Sequence, residues 1–178
     1  MRILAFDPGG SNHAFSQVEV SNKYPWYKVV STGMLAHTIK DIKGEVKKEA
    51  MAHQSEIRKL LKFKPDNIFA ERYLLRRAVT GGTTTEGINQ ALGILAVNAG
   101  KAELRYITAA LWKNAYNRMF GKDTLKGHYK LAKVICTPHQ LDACLIAIFG
   151  MYTLVEDMKP FEDFKIQTLI KQIEKCQK

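Results

Sequence analysis

The stretch RILAFDPGG, residues 2–10, places one carboxylate, Asp7, at the end of an apolar run. The run is typical of a buried strand, and Pro8 with the two glycines after it predicts a turn directly after the carboxylate. A charge at the end of a buried strand destabilises the fold unless it is paired or binds a cation. Asp7 is therefore either an ordinary turn residue or a metal ligand, and this stretch leaves both readings open.

Composition narrows the class of protein. The 178 residues suit a single domain, and 27 Lys and Arg against 17 Asp and Glu give a formal net charge of +10 at pH 7. This excess of positive charge favours a polyanionic partner, and nucleic acid is the leading candidate. The alternative is that the charge only keeps the protein in solution. The 3 cysteines form no Cys-X-X-Cys pattern, which argues against a disulfide framework or zinc site and for a reducing cytoplasm. We expect no signal peptide and no membrane span.

Outward from the opening strand, strand and helix patterns alternate. Residues 13–20 and 26–35 are rich in β-branched and aromatic side chains, which predicts an antiparallel meander. The stretch over residues 67–75 predicts a second short apolar strand that ends in a carboxylate, Glu71, and so repeats the pattern of Asp7. The other predicted elements are a helix over 41–62 that stops at Pro65, a Gly/Thr loop over 80–87, a helix closed by Gly100, a strand over 102–107 and a helix from Thr108 to Gly121.

The clearest helix start is TPHQLDACLIAIFGMY, residues 137–152. Thr137 as N-cap, Pro138 in the first helical position and Gln140 three residues after the cap form a capping box. His139 and Asp142 stand at i and i+3, so their side chains project from the same side. The expected core face of this helix consists of Leu141, Cys144, Leu145, Ile148 and Tyr152. A last helix is expected from Phe161, with a stripe of Ile166, Leu169, Ile170 and Ile173.

This order of elements predicts an α/β fold around a mixed sheet. Because ligands collect at the carboxyl ends of parallel strands, Asp7 and Glu71 are expected to meet there, with His139 and Asp142 beside them. Carboxylates so close repel one another unless divalent cations lie between them, and such oxygen-rich sites suit Mg²⁺ or Mn²⁺. A pair of these ions performs phosphodiester hydrolysis. Each of these residues alone also has an ordinary structural interpretation. Asp7 could be a turn residue and Glu71 an ion-pair partner of Arg72 or Arg76, while His139 and Asp142 could complement a helix dipole or be surface groups.

Three motifs together resemble the RuvC-type Holliday junction resolvases of the RNase H-like superfamily, and a divergent phage member in particular. ILAFDPGGSN is similar to the first strand of the family, NIFAER to its second acidic strand, and HQLDACLIA to the helix with its final acidic pair. The resemblance implies an RNase H-like fold, with a mixed five-stranded sheet flanked by helices, over residues 1–155. Residues 156–178 have no counterpart, and we expect a helical extension that packs on the same domain.

The resemblance also implies a function and a site. The expected activity is cleavage of four-way DNA junctions by two Mg²⁺ or Mn²⁺ ions in each active site of a symmetric dimer, in the cytoplasm, or the host cytoplasm for a phage protein. Asp7 would bridge both ions, Glu71 would bind one, and Asp142 would complete the site. His139 stands where many members have aspartate, and an imidazole ligand favours Mn²⁺.

Nucleic-acid contacts and a dimer surface follow from the same resemblance. The loop after Glu71 would supply phosphate contacts and a flexible tip, and lysines further along would bind the DNA backbone. The expected nucleic-acid-binding residues are Arg76, Arg77, Thr80, Gly81, Lys113, Lys122, Lys126 and Lys130. The stripe Ile88, Leu92, Leu95 and Ala99 is the expected dimer contact. Most aromatic side chains, Trp112 among them, are expected in the core.

Three alternatives remain beside this reading. The same fold and metals could cut other branched DNA or structured RNA, because the fold is reused for many polynucleotides. A non-catalytic DNA-binding module would keep only the basic surface. Acetate-kinase and actin-like relatives also place an aspartate and glycines at a strand end, but they need a duplicated domain, for which this chain is too short. A small-molecule substrate and a membrane partner are not expected.

Overall fold

A five-stranded mixed sheet forms the centre of the computed structural model, which describes residues 1–9, 12–24, 26–36, 46–72, 83–121, 124–155 and 164–177. The strands lie in the order β3-β2-β1-β4-β5. The first three form the predicted antiparallel meander, and β4 and β5 run parallel to β1. Their bounds are β1 (Arg2–Gly9), β2 (Asn12–Val20), β3 (Tyr27–Met34), β4 (Asn67–Glu71) and β5 (Glu103–Ile107).

Helices cover both faces of the sheet. On one face, α5 packs across β1, β2 and β3, with α3 and α4 against α5 and with α6 against β3. On the other face, α1 and α2 pack on each other and α2 reaches β1. The helices are α1 (Val46–Leu61), α2 (Thr83–Asn98), α3 (Ala109–Phe120), α4 (Thr124–Ala132), α5 (Pro138–Leu154) and α6 (Ile166–Cys176). The expected α/β class, with a mixed five-stranded sheet flanked by helices, is confirmed.

The alternation of side chains along β1 divides the core in two. Ile3 and Ala5 lie in the cluster beneath α5, whereas Leu4 and Phe6 lie in the cluster beneath α1 and α2. All four are fully or almost fully buried, because both faces of this central strand are covered by helices. The strand that carries Asp7 is therefore held from both sides.

The capping box of α5 is confirmed. The Thr137 hydroxyl accepts the Gln140 backbone N–H at 3.2 Å, and the Gln140 side chain accepts the Thr137 backbone N–H at 3.0 Å. The predicted core face is confirmed for Leu141, Cys144, Leu145 and Ile148, and burial extends beyond that face, because the sheet and the packed helices bury every residue from 140 to 151. Tyr152, expected in the core face, is half-buried instead.

Two element predictions need correction, and a third is only partly tested. The Gly/Thr loop was expected to reach residue 87, but α2 begins at Thr83, where Glu86 in the first turn complements the helix dipole. Helix α4 was not predicted, because it is short and buries only Leu125, His128 and Ala132 among glycine and lysine residues. The first part of the predicted helix over 41–62 lies outside the described residues, which begin again at Val46.

The helix ends follow the local signals. Helix α1 ends at Leu61, and Lys64, with a φ of 53°, turns the chain just before Pro65. Gly100 and Gly121 have φ angles of 64° and 98°, so both predicted closing positions use a backbone conformation that favours glycine. Within the described ranges, no helix has the length and hydropathy needed to cross a bilayer.

The stripe expected to form the dimer contact lies in the core instead. Ile88, Leu92 and Leu95 are buried with β1, β4 and α1, and Ala99 packs against the same cluster. The prediction is wrong because the apolar side of α2 is needed to cover its own sheet. The opposite side of α2 faces solvent, where Val97 is 83% exposed.

Helix α6 closes the outer strand of the meander. Its predicted stripe of Ile166, Leu169, Ile170 and Ile173 is buried, which confirms the amphipathic pattern. The backbone N–H of Val29 in β3 donates to Oε1 of Gln172 at 2.6 Å. The predicted start of this helix at Phe161 lies outside the described residues.

We expect Gly150→Ala to destabilise the fold. A Cβ at position 150 would lie 2.5 Å from the ring of Phe69, which is itself buried with only 1% exposed, so the ring or the helix would have to shift. Overpacking of this kind costs about 1–3 kcal/mol, which urea unfolding would measure.

Gly93→Ala is the matched control, because position 93 is also in the middle of a helix but has no atom within 4 Å of an added Cβ. Helix propensity alone acts there and should raise the stability by about 0.5–1 kcal/mol. Equal effects of the two substitutions would contradict the close contact between α5 and β4.

Candidate active site

Two strand ends and one helix start bring the predicted site residues together. Asp7 lies near the end of β1 and Glu71 at the end of β4, and the parallel register, which pairs Phe6 with Ala70, places the two carboxylates in neighbouring positions. Asp142 and His139 lie in the first turns of α5, which packs across β1. All three carboxylate residues are less than 9% exposed, so their charges interact through little water.

Asp7 is held by His139. The Nδ1 atom of His139 lies 2.9 Å from Oδ2 of Asp7, and because a carboxylate only accepts, Nδ1 carries the proton in this hydrogen bond. The hydrogen bond to Asp7 raises the pKa of His139, against the opposing effect of burial, and the charges of Asp7, Asp142 and Glu71 raise it further. These contacts therefore favour the protonated form of His139, which partly balances the carboxylates when the ring is protonated.

Glu71 is held by the indole of Trp112. Trp112 is fully buried, and its Nε1–H donates to Oε2 of Glu71 at 2.6 Å. Burial raises the pKa of Glu71, the indole hydrogen bond opposes this, and the charges of Asp7 and Asp142 add to the increase. The site therefore disfavours the ionised form of Glu71.

Asp142 has two partners from different helices. Lys113 of α3 places Nζ 3.2 Å from Oδ2, and the Tyr129 hydroxyl of α4 donates to Oδ1. Burial raises the pKa of Asp142, while Tyr129 and Lys113 lower it in part. Burial and the Asp142 charge also raise the pKa of Tyr129 far above its usual range, so the phenol stays a donor. The Lys113 ammonium also lies 4.9 Å from the ring centre of Trp112, which ties the two contacts together.

Sequence reasoning missed the roles of Trp112, Lys113 and Tyr129. Trp112 was expected in the core and Lys113 on the DNA backbone, and Tyr129 was not considered. A buried tryptophan needs an acceptor for its N–H, and a buried carboxylate needs a donor. These two needs are the only indication of the contacts that the sequence contained. Only the packing of α3 and α4 on α5 shows which donor meets which carboxylate.

The expected nucleic-acid contacts are only partly described. Lys126 and Lys130 lie on the exposed side of α4, and Lys113 lies at the site itself, 36% exposed. The remaining predicted contacts, Arg76, Arg77, Thr80, Gly81 and Lys122, lie outside the described residues, as does Gly10 of the opening turn. An ion pair with Arg72 or Arg76 was the alternative expectation for Glu71. The structure shows that Glu71 accepts a hydrogen bond from Trp112.

The donor chemistry fits a hard divalent cation. The charge of Asp7 raises the pKa of both Glu71 and Asp142, and Asp142 adds to the effect on Glu71, so a cation among these buried carboxylates would relieve both burial and repulsion. Across the part of the chain that the structure describes, no group of three or more His, Cys, Asp or Glu side chains is already arranged around a metal position. Lys113 and His139 instead supply the positive charge. Metal binding at Asp7, Glu71, Asp142 and His139 would therefore require these contacts to rearrange.

Comparison with known proteins identifies the fold. No protein-family model and no curated protein match the sequence. A Thermus thermophilus RuvC structure is similar with a TM-score of 0.64 and 16% identity, over 85% of this chain and 94% of that one. T. thermophilus RuvC in complex with a Holliday junction substrate is similar with a TM-score of 0.66 and 15% identity, over 86% and 94%. The RNase H-like fold of the RuvC type is thereby confirmed.

We expect Glu71→Gln to raise the melting temperature of the metal-free protein. Because the folded state raises the pKa of Glu71, its charge costs stability above that pKa, and a neutral amide that still accepts the Trp112 N–H avoids this cost. The gain should be present at pH 8, shrink as the pH falls through the raised pKa and vanish below the ordinary pKa of an unfolded glutamate. Thermal melting in EDTA would show it, at about 2–4 °C for each kcal/mol.

Glu103→Gln provides the control, because that carboxylate is 61% exposed and pairs with Arg105 at the surface. It should leave the melting temperature nearly unchanged at every pH. A melting temperature for Glu71→Gln at or below that of the wild type at pH 8 would show that the site carries no unrelieved negative charge.

Proposed function

We propose that this chain is a metal-dependent endonuclease that resolves four-way DNA junctions by hydrolysing phosphodiester bonds. One observation carries the proposal: three buried carboxylates and an imidazole meet at the end of β1 and β4, within a fold shared with RuvC, whose structure has been determined with a Holliday junction substrate. The net charge of +10 suits a polyanionic substrate.

In this proposal Asp7, Glu71, Asp142 and His139 hold two Mg²⁺ or Mn²⁺ ions in each active site. When bound, such ions activate the attacking water and stabilise the leaving oxygen. An imidazole among the ligands lowers the negative charge of the site and favours Mn²⁺ over Mg²⁺. Equal cleavage rates in titrations of the two metals would argue against that preference.

The neighbouring side chains orient the carboxylates. Trp112 fixes the rotamer of Glu71, and Tyr129 fixes that of Asp142, each with one hydrogen bond. Lys113 is close enough to Asp142 to neutralise it and exposed enough to meet a phosphate, so it links the site to the DNA surface. Catalytic carboxylates held by donors from α3 and α4 lose little freedom when substrate binds.

DNA binding extends from the site onto the basic surface. Lys113, Lys126 and Lys130 would contact phosphates, together with Lys122, Arg76 and Arg77 and the loop residues Thr80 and Gly81. Such contacts give affinity without reading sequence and weaken steeply with salt. We further propose a symmetric dimer, because two active sites related by a two-fold axis match the two scissile strands of a junction.

The domain organisation belongs to the same proposal. Residues 1–155 form the nuclease domain and residues 156–178 an extension that packs on it, a view supported by the burial of α6 against β3. The three free cysteines suit a reducing cytoplasm, in the host if the chain is encoded by a phage.

Two alternatives are separated by experiment. Cleavage of other branched DNA or of structured RNA would keep the metal chemistry and change the substrate. A non-catalytic DNA-binding module is disfavoured, because without a metal the buried carboxylates at this site destabilise the fold.

We expect Asp7→Asn to abolish junction cleavage while DNA binding persists. Loss of a metal ligand removes several kcal/mol of transition-state stabilisation, which corresponds to a rate at least about a hundredfold lower. A labelled four-way junction, a linear duplex, a flap and a hairpin RNA would be compared in Mg²⁺ and in Mn²⁺. Paired symmetric nicks in the junction alone are the expected result for the wild type.

Asp66→Asn is the matched control, since Asp66 lies at the opposite end of the sheet and accepts the Arg2 backbone N–H at 2.7 Å. It should cut like the wild type. Equal cleavage of flaps or RNA would contradict the proposed substrate. If no substrate is cleaved in a metal-dependent way, the proposed enzymatic activity is wrong.

We also expect Mn²⁺ to raise the melting temperature of the wild type and not of Asp7→Asn. An ion that binds only the folded state adds stability, about 2.7 kcal/mol at a concentration 100 times its Kd. A thermal shift series with Mn²⁺ and Mg²⁺ would measure this. No shift with either ion would favour the non-catalytic binding module.

A further inference from the structure

A cavity of about 610 Å³ opens where α4 leads into α5. Its wall is mainly apolar and includes Tyr129, Ala132, Val134, Ile135, Pro138 and Leu141. Ala132 and Leu141 are buried and form its floor, whereas Val134 is 91% exposed at its rim. The exposure of an apolar rim around a preformed cavity is costly in water and is typical of a binding site.

The cavity adjoins the candidate active site. Tyr129 lines the cavity while its hydroxyl donates to Asp142, so one side chain belongs to both. Pro138, on the cavity wall, directly precedes His139, which bonds to Asp7. A group bound in the cavity would therefore lie beside the phosphate that the metal ions of the proposed function would hold near the carboxylates.

The charge around the cavity selects the kind of ligand. Lys130 and Lys133 both line it and are exposed, whereas no Asp or Glu is among its lining residues. An apolar recess with an aromatic wall and cationic rim suits a flat, uncharged ring attached to phosphates. The volume also falls within the range of about 300–1,000 Å³ that is usual for small-ligand sites.

We propose that this cavity receives one unstacked nucleobase of the DNA substrate, next to the phosphate that is cut. The proposal rests on the proposed function and adds to it a source of sequence preference, because bases differ in how well they unstack and fit. Bases at a branch point lack a continuous stack, so moving one into the cavity costs less there than in a linear duplex.

The first test locates the base. Four-way junctions carry a single 2-aminopurine at each position around the cut, and fluorescence is measured on binding in EDTA. The expected result is a rise at one position with the wild type and no rise there with Val134→Glu, which places a carboxylate on the rim. Met51→Glu is the matched control, because Met51 is a 61% exposed apolar residue on α1, outside the cavity.

The second test separates a base contact from general repulsion of phosphates. Replacing the base at that position by an abasic nucleotide should weaken wild-type binding about tenfold, as expected for the loss of one stacked base. Val134→Glu should weaken binding to the intact junction by a similar factor and add no further loss on the abasic junction. If the affinity losses from the abasic nucleotide and from Val134→Glu multiply, the two changes act independently, and the proposal is wrong.

The outcomes distinguish this proposal from the proposed function. If the wild type binds and cuts junctions but no position gives a fluorescence rise, the cavity does not hold a base and the resolvase assignment stands. If the wild type neither binds nor cuts junctions, both fail together. A rise that Val134→Glu and Met51→Glu leave equally intact would show that the base unstacks elsewhere. Melting curves of both variants would verify that they fold.

Discussion

The packing of α5 against the central strands is the constraint on which the rest of the structure depends. Because the sheet and the surrounding helices bury this helix from residue 140 to residue 151, its position is fixed along its length. Gly150 allows the Phe69 ring of β4 to approach the helix backbone closely. The capping box fixes the other end at Thr137. His139 and Asp142 are thus held against the strand ends by the core itself, and the site needs no separate scaffold.

Charge is the second constraint, and it acts against the first. Packing brings Asp7, Glu71 and Asp142 together with little water between them, and each carboxylate is held by a donor from another part of the chain. An imidazole, an indole, a phenol and an ammonium group share this task. The result is a polar network in which the removal of one donor leaves a buried acceptor without its partner. Such a network keeps the carboxylates ordered, and in the proposed function a cation would replace part of it.

The sequence predicted the parts of this arrangement that depend on local pattern. The meander, the strand end at Glu71, the capping box at Thr137 and the stripe of α6 all followed from periodicity and turn residues. It failed where tertiary packing decides. Helix α4 is too short and too polar to show a period, and the apolar stripe of α2 could not be assigned to the core or to a partner without the sheet. Tyr129 could not be assigned to Asp142, because its helix was not predicted.

The division of the core by β1 has a consequence for how such a chain can change over time. Ile3 and Ala5 contribute to one apolar cluster, and Leu4 and Phe6 to the other. A volume change beneath α1 and α2 can be compensated by its neighbours on that face, without disturbing the layer that carries Asp142 and His139. Substitutions on the two faces are therefore expected to act almost independently, which is consistent with a fold that is shared at a TM-score of 0.66 by two sequences with 15% identity.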